Sequence, residues 1–212
     1  MQRNGAEDPR IILDLLESVG RDGDRSQRVR ASEFGVALGL VNSYLKYCVR
    51  KGYIRVKRIP AQRYIYFLTP KGFAEKSRLT VLQLSSSLTF FRQARADYAA
   101  VLKTAEARGW THIVLAGASE LAEIATLCAR ETGITIVAIL DANFVGERFI
   151  DLPVVRNFES AGDFDGAIVT DRLIPQQSFD SAAAALGMER VLAPSLLGVA
   201  APAAWESQRR HA

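Results

Sequence analysis

The period of the apolar positions changes along this chain, and the changes divide it. Ile11-Ile12-x-x-Leu15-Leu16 repeats at helical spacing, with Asp8 placed to cap the start. The segment 20–25 breaks that pattern. Ser26 is a good N-cap for a second, short helix carrying Val29, Ala31 and Phe34, and Gly35 ends it at a left-handed turn. A third helix is expected over about 38–51, with Leu38, Val41, Leu45, Cys48 and Val49 on its buried stripe. Asn42, Ser43, Lys46 and Arg50 fall on the other side. Gly52 stops it, and the period drops to two. Ile54, Val56 and Ile59 line one side of a strand, while Arg55, Lys57 and Arg58 point outward. A turn at 60–63 follows, and Tyr64, Tyr66 and Leu68 alternate on the return strand.

Thr69-Pro70 reads as a helix start, a cap followed by proline in the first turn. The next stretch, to about Gly109, contains no further proline. Leu79, Leu82, Leu88, Phe91, Ala94, Tyr98, Val101, Leu102 and Ala105 give it an apolar face, as one helix or two, with Ser85-Ser86-Ser87 a candidate bend. That length exceeds what a small domain needs, so it joins two domains or pairs with a second chain. From Thr111 strand and helix patterns alternate. His112–Ala116, 134–140, 165–170 and 189–193 read as strands; 120–131 and 179–186 read as helices. That spacing predicts a parallel sheet with helices around it. The expected organisation is an α/β multidomain chain: residues 8–80 for the first domain, 81–109 for a linking or dimerising helix, 110–202 for the sheet domain.

Charge sharpens the division. Residues 26–80 hold twelve Lys and Arg against two acids, Glu33 and Glu75, a net of +10; from Val81 onward eleven bases face fifteen acids, a net of −4. A surface that positive implies an anionic partner for the first half; the charge of the second half carries no such implication. No apolar run is long enough to span a bilayer and no secretory signal is legible, so the expectation is a cytoplasmic protein without a membrane partner. Cys48 and Cys128 sit in apolar helical patterns and are expected as buried free thiols.

A short helix, a tight turn, a second helix and a basic two-stranded ribbon are how a small domain reads double-stranded DNA. Side chains must reach base edges while flanking cations hold phosphates. Asn42 suits adenine; Lys46 and Arg50 suit guanine or phosphate; Ser43 shares their face. Gln27, Arg28 and Arg30 open the preceding helix beside a phosphate, and Arg55, Lys57, Arg58 and Arg63 form the ribbon arm. Tyr44 and Tyr47 either pack on sugar or complete the core. Residues 11–80 resemble the winged helix-turn-helix domain of MarR-type regulators. The stretches Ser26-Gln-Arg28, Gly39-Leu-Val-Asn42, Leu45-Lys46, Val49-Arg-Lys-Gly-Tyr-Ile54 and Leu68-Thr-Pro-Lys-Gly72 resemble the regulators found with bacterial exopolysaccharide and lipopolysaccharide genes. The resemblance implies a homodimer on roughly palindromic operators, paired through the long helix and with the C-terminal domain as a further contact.

In the second half, Ala116-Gly-Ala-Ser-Glu-Leu-Ala122 follows a strand and opens a helix, where backbone N–H groups can hold a phosphate. Asp141 ends the next strand, placed for a ribose or sugar hydroxyl. The arrangement resembles the Rossmann-like nucleotide-binding halves of sugar acetyltransferases and of redox-sensing or CoA-binding regulators. Ser119 and Ala122 depart from the glycine fingerprint. A phosphorylated or nucleotide-linked sugar is the expected effector, with no certain cofactor, held by Gly117, Ala118, Ser119, Glu120 and Asp141 and closed by Thr170 and Asp171; a purely structural or dimerising sheet is the other reading. Catalysis has little support, because His112 and His211 lack companions at metal-ligand spacing and no nucleophile turn is present. The expected function is a DNA-binding transcriptional regulator of polysaccharide-related genes. The alternative is a nucleotide or nucleotide-sugar binding module or small enzyme in which the winged helix is structural or a protein-interaction element.

Overall fold

A computed structural model of the chain describes residues 8–59 and 63–200, the Arg63 side chain excepted. The ribbon tip at 60–62 and the Arg63 side chain, both expected near DNA, lie outside the described residues. The chain divides into two compact units, Met1–Leu88 and Thr89–Ala212.

The first unit begins with α1 (Pro9–Arg21), whose cap Asp8 accepts a hydrogen bond from the Arg10 N–H. Helix α2 (Gln27–Glu33) is capped by Ser26, which accepts from the Val29 N–H. Helix α3 (Leu38–Arg50) has Ala37 at its N-cap and no side-chain cap. Strands β1 (Ile54–Ile59) and β2 (Arg63–Leu68) form an antiparallel ribbon with Val56 opposite Tyr66 and Arg58 opposite Tyr64. One core joins these elements, built on Leu15, Leu16, Val41, Leu45, Cys48, Ile54 and Tyr66. The buried stripe of α3 is narrower than its sequence implies: Leu38 and Val49 are exposed, and Val41, Leu45 and Cys48 alone are inside. Tyr44 and Tyr47 complete this core, the Tyr44 hydroxyl accepting from the Asp8 N–H at 2.8 Å.

Helix α4 (Pro70–Ala107) is continuous over 38 residues. Thr69 caps it by accepting from the Gly72 N–H at 3.0 Å. The triple serine does not break it, because a helical hydroxyl can bond back one turn. Ser87 Oγ donates to the Gln83 carbonyl at 3.0 Å, as Thr80 Oγ1 does to that of Lys76. Leu79 is buried in the first unit, and Ala94, Tyr98, Leu102 and Ala105 in the second. Between them every residue from 80 to 93 is exposed, including Leu82, Leu88 and Phe91, which the apolar pattern placed inside.

The second unit is a mostly parallel six-stranded sheet of order β5-β6-β4-β3-β7-β8. Its strands are β3 (His112–Ala116), β4 (Thr135–Leu140), β5 (Arg148–Phe149), β6 (Leu152–Val155), β7 (Gly166–Val169) and β8 (Val191–Leu192). The short antiparallel hairpin β5–β6 is an element the sequence pattern did not reveal. Helix α5 (Glu120–Ala129) and the second half of α4 pack with Ile113, Leu115, Ile139 and Ile168; α6 (Pro175–Leu186) packs with Val169 and Val191. The Tyr98 hydroxyl donates to the Val169 carbonyl at 2.9 Å, and burial pushes that phenol well above its ordinary pKa. Cys48 and Cys128 are buried thiols and are not joined in a disulfide, as expected. No helix among the described residues is long and apolar enough to cross a membrane.

Candidate nucleic-acid interface

Within the first unit, the ion pairs decide which charges remain for a partner. Glu33 pairs with Arg25 at 2.9 Å and Arg21 at 3.8 Å, Asp22 with Arg25 at 3.3 Å, and Glu75 with Arg78 at 2.7 Å. Lys51 lies 5.4 Å from the Tyr47 ring and Lys71 lies 5.6 Å from that of Tyr53. Arg28, Lys46, Arg50, Arg55, Lys57 and Arg58 are exposed and make no ion pair or side-chain hydrogen bond with the described residues. Exposed cations without local acids are the electrostatic footprint of an anion-binding face.

Asn42, Lys46, Val49 and Arg50 follow one another at helical spacing along α3 and line a groove of about 440 Å³. Its other wall is the ribbon, through Val56, Tyr64 and Tyr66, and Gln27 of α2 closes one end. Gln27 Nε2 donates to the Tyr66 hydroxyl at 2.8 Å, which ties α2 to the ribbon rather than leaving the amide for a phosphate. Ser43 is exposed next to this row.

Two expectations need correction. Arg30 is not a DNA contact, for its side chain is 0% exposed. The guanidinium donates to Ser18 Oγ, to the Asp22 carbonyl at 2.6 Å and to the Arg25 carbonyl at 3.3 Å, and lies 5.9 Å from the Tyr66 ring. Burial pushes its pKa below the ordinary value, yet an arginine of this kind keeps its charge. Nor do the three cations of β1 point together. Strand alternation sends Arg58 to the face of Val56, Tyr64 and Tyr66, and Arg55 and Lys57 to the opposite face with Phe67.

In the second unit, β3 has β4 on one side and β7 on the other, so the chain reverses its order across the end of β3. Such a switch point is where open parallel sheets hold ligands. A cleft of about 600 Å³ lies there, lined by Gly117–Glu120, Glu123, Asp141, Asn143, Phe149 and 171–174. The polar groups of the loop are largely taken. Asp141 accepts from the Ala118 N–H at 3.1 Å, and its other oxygen accepts from Asn143 and Phe144. Ser119 Oγ accepts from the Leu121 N–H at 3.1 Å and donates to the Thr170 carbonyl at 2.5 Å. The Ala122 and Glu123 N–H groups bond the Ser119 carbonyl. The Glu120 carboxylate is held below its usual range, first by its own backbone N–H and then by Arg172 at 3.2 Å.

Thr170 is wholly buried and donates to the Gly117 carbonyl at 2.6 Å, so it does not close the cleft. Asp171 accepts from Leu173, Ile174 and Ser178, fixing its own loop. Gly117 has φ +115°, and a Cβ there would stand 2.6 Å from the Asp171 backbone; the close approach is to the chain itself. Four carboxylates, Glu120, Glu123, Asp141 and Asp171, share the cleft with one guanidinium, Arg172. No group of metal-ligating side chains occurs among the described residues. No protein-family model matches this chain, and no curated protein matches it.

Proposed function

We propose that the chain is a sequence-specific regulator that binds double-stranded DNA through α3 and the β1–β2 ribbon. One observation carries the reading: Lys46 and Arg50 stand on the exposed face of α3 with Asn42, and neither has an acidic partner among the described residues. Asn42 is suited to an adenine edge, Lys46 and Arg50 to guanine or phosphate, and Arg58 to the sugar–phosphate backbone from the ribbon. The resemblance of residues 11–80 to MarR-type winged-helix regulators, and to those near polysaccharide genes, belongs to this proposal.

A homodimer paired through α4 is part of the same reading. Phe73, Val81, Leu84, Leu88 and Phe91 are all exposed and fall on one side of the helix; the last four follow the three–four spacing of a coiled-coil seam. Together these five side chains expose on the order of 550 Å² of apolar surface. That approaches the roughly 800 Å² per partner of a stable interface before flanking residues are counted. A seam of this spacing matches a copy of itself, and two-fold pairing would present two α3 helices to two half-sites.

The phosphorylated effector has less support, since the switch-point cleft is lined by carboxylates and its Ala118 and Leu121 N–H groups are already bonded. Its Rossmann-like character and a sensing role stay within the proposal. The test is equilibrium binding of the full chain to a random-sequence duplex pool at two salt concentrations. Lys46→Ala, Arg50→Ala and Arg58→Ala should each weaken binding and flatten its salt dependence by about one unit of log–log slope. Asn42→Ala should change which sequences are selected. Unchanged affinity at both salt concentrations for the triple cation variant would refute the reading.

A further inference from the structure

The structure assigns a contact role to Gly39, which rests on the DNA reading above: it is where the helix backbone itself meets the duplex. Three glycines of the described residues lie inside helices. Gly72 is required by packing, since a Cβ there would stand 2.0 Å from the Tyr53 carbonyl oxygen. Gly20, near the end of α1, would place a Cβ in ordinary contact with Leu68 at 3.6 Å. Gly39 alone would meet nothing within 4 Å, and its φ does not lie in the left-handed region. Neither conformation nor packing in this chain calls for glycine at that position.

Glycine in a helix costs stability relative to alanine, because it fixes a freer backbone and adds no side-chain contact. Gly39 is the second residue of α3, where that cost is smaller than in the interior, but a position with no internal use for glycine points to a partner outside. Gly39 shares a face with Asn42, Ser43, Lys46 and Arg50: at 100° per residue the five span an arc of about 100°. Residues 37–40 are all exposed, so the approach is open. The missing Cβ lets a rigid surface come to van der Waals contact with the Gly39 Cα while the longer side chains of that row reach past it. A duplex groove wall, with its sugar–phosphate backbone, is a surface of that kind. The inference adds a steric determinant to the electrostatic ones: Gly39 sets the depth at which α3 seats.

The decisive property is that fold and function move in opposite directions. Gly39→Ala and Gly39→Leu are made in the full chain, with Gly20→Ala as a control of the same chemistry on α1. Thermal unfolding is measured beside binding to duplexes selected by the unsubstituted chain from a random pool. The expected result is an unfolding midpoint equal to or above the parent for both Gly39 variants. DNA affinity should fall roughly tenfold for alanine and further for leucine, as side-chain volume fills the contact. Gly20→Ala should bind as the parent does. If the parent selects duplexes and both Gly39 variants bind them unchanged, the contact is wrong and the DNA reading stands. If the parent selects none, the reading beneath the contact falls and takes it along. A loss of binding accompanied by a lowered unfolding midpoint would also overturn the inference, since it would mark Gly39 as structural.

Discussion

The face of α3 and the cleft at the end of β3 are both surface features lined by polar side chains, yet they differ in what they leave undone. On α3, Lys46 and Arg50 have no partner among the described residues, while Glu33, Asp22 and Glu75 pair with Arg21, Arg25 and Arg78. At the cleft, Asp141, Ser119, Thr170 and Asp171 are occupied by one another's loops. Unpartnered charge on a surface is solvated and available; a carboxylate already bonded to backbone N–H groups has fewer lone pairs left for a ligand. The comparison therefore assigns external work to the first region and internal work to the second. The middle of α4 is a third kind, in which apolar surface rather than charge is left unsatisfied.

The largest effect expected from this contrast concerns Arg30 and Arg28, two residues apart on α2. Arg30 is sealed and bonded to Ser18, Asp22 and Arg25, whereas Arg28 is exposed. Arg30→Met keeps much of the volume and removes the donors, leaving a buried hydroxyl and two carbonyls without partners. It should cost about 3 kcal/mol in urea unfolding. Arg28→Ala should cost less than about 0.5 kcal/mol and act on DNA affinity instead. A stable Arg30→Met variant with weakened DNA binding would place Arg30 on the outer face and dissolve the distinction.

That pair also shows what could be read from the chain alone. Caps are local, so Asp8, Ser26 and Thr69 announced the starts of three helices through side chains bonding N–H groups within three residues. The basic stretch and the alternation of strand and helix after Thr111 were likewise legible. Burial of Arg30 was not, because its acceptors are contributed by α1 and by the 22–25 turn, and a charged residue on a short helix reads as exposed. The β5–β6 hairpin was hidden by its brevity and by Pro153 within the run. At the cleft the sequence showed the right residues: Gly117, Ser119 and Asp141 do converge. It gave no sign that they converge on each other, since Ser119 donates to a carbonyl 51 residues away.

The α4 seam is the next test in size. Leu84→Glu with Leu88→Glu places charges where the spacing calls for apolar contact. Both side chains are exposed in the single chain, so its unfolding should move little. Sedimentation equilibrium should show a dimer for the parent and a monomer for the double variant. DNA affinity should fall by roughly tenfold or more as the second half-site contact is lost. Identical monomeric masses for both would leave the stripe without a copy of itself, and would confine the contrast to the charged regions.

The smallest effect is at Asp141, where the contrast makes a prediction of unusual sign. One carboxylate oxygen accepts from Ala118 and the other from Asn143 and Phe144. Asp141→Asn keeps an acceptor for one of these sides and turns a donor toward the other, so it should cost about 1 kcal/mol of stability. It also removes a negative charge from a cleft that holds three further carboxylates and one guanidinium. If the loop's donors are committed internally, a nucleoside diphosphate sugar should show little heat of binding to the parent. The variant, with less repulsion, should bind it measurably better at low salt. A cleft built for such a ligand behaves in the opposite way: tight binding by the parent, lost on substitution, because Asp141 would then be bonding a sugar hydroxyl as well as its own backbone. Calorimetry on the two proteins separates these outcomes, and the second would move the cleft to the same side of the comparison as α3.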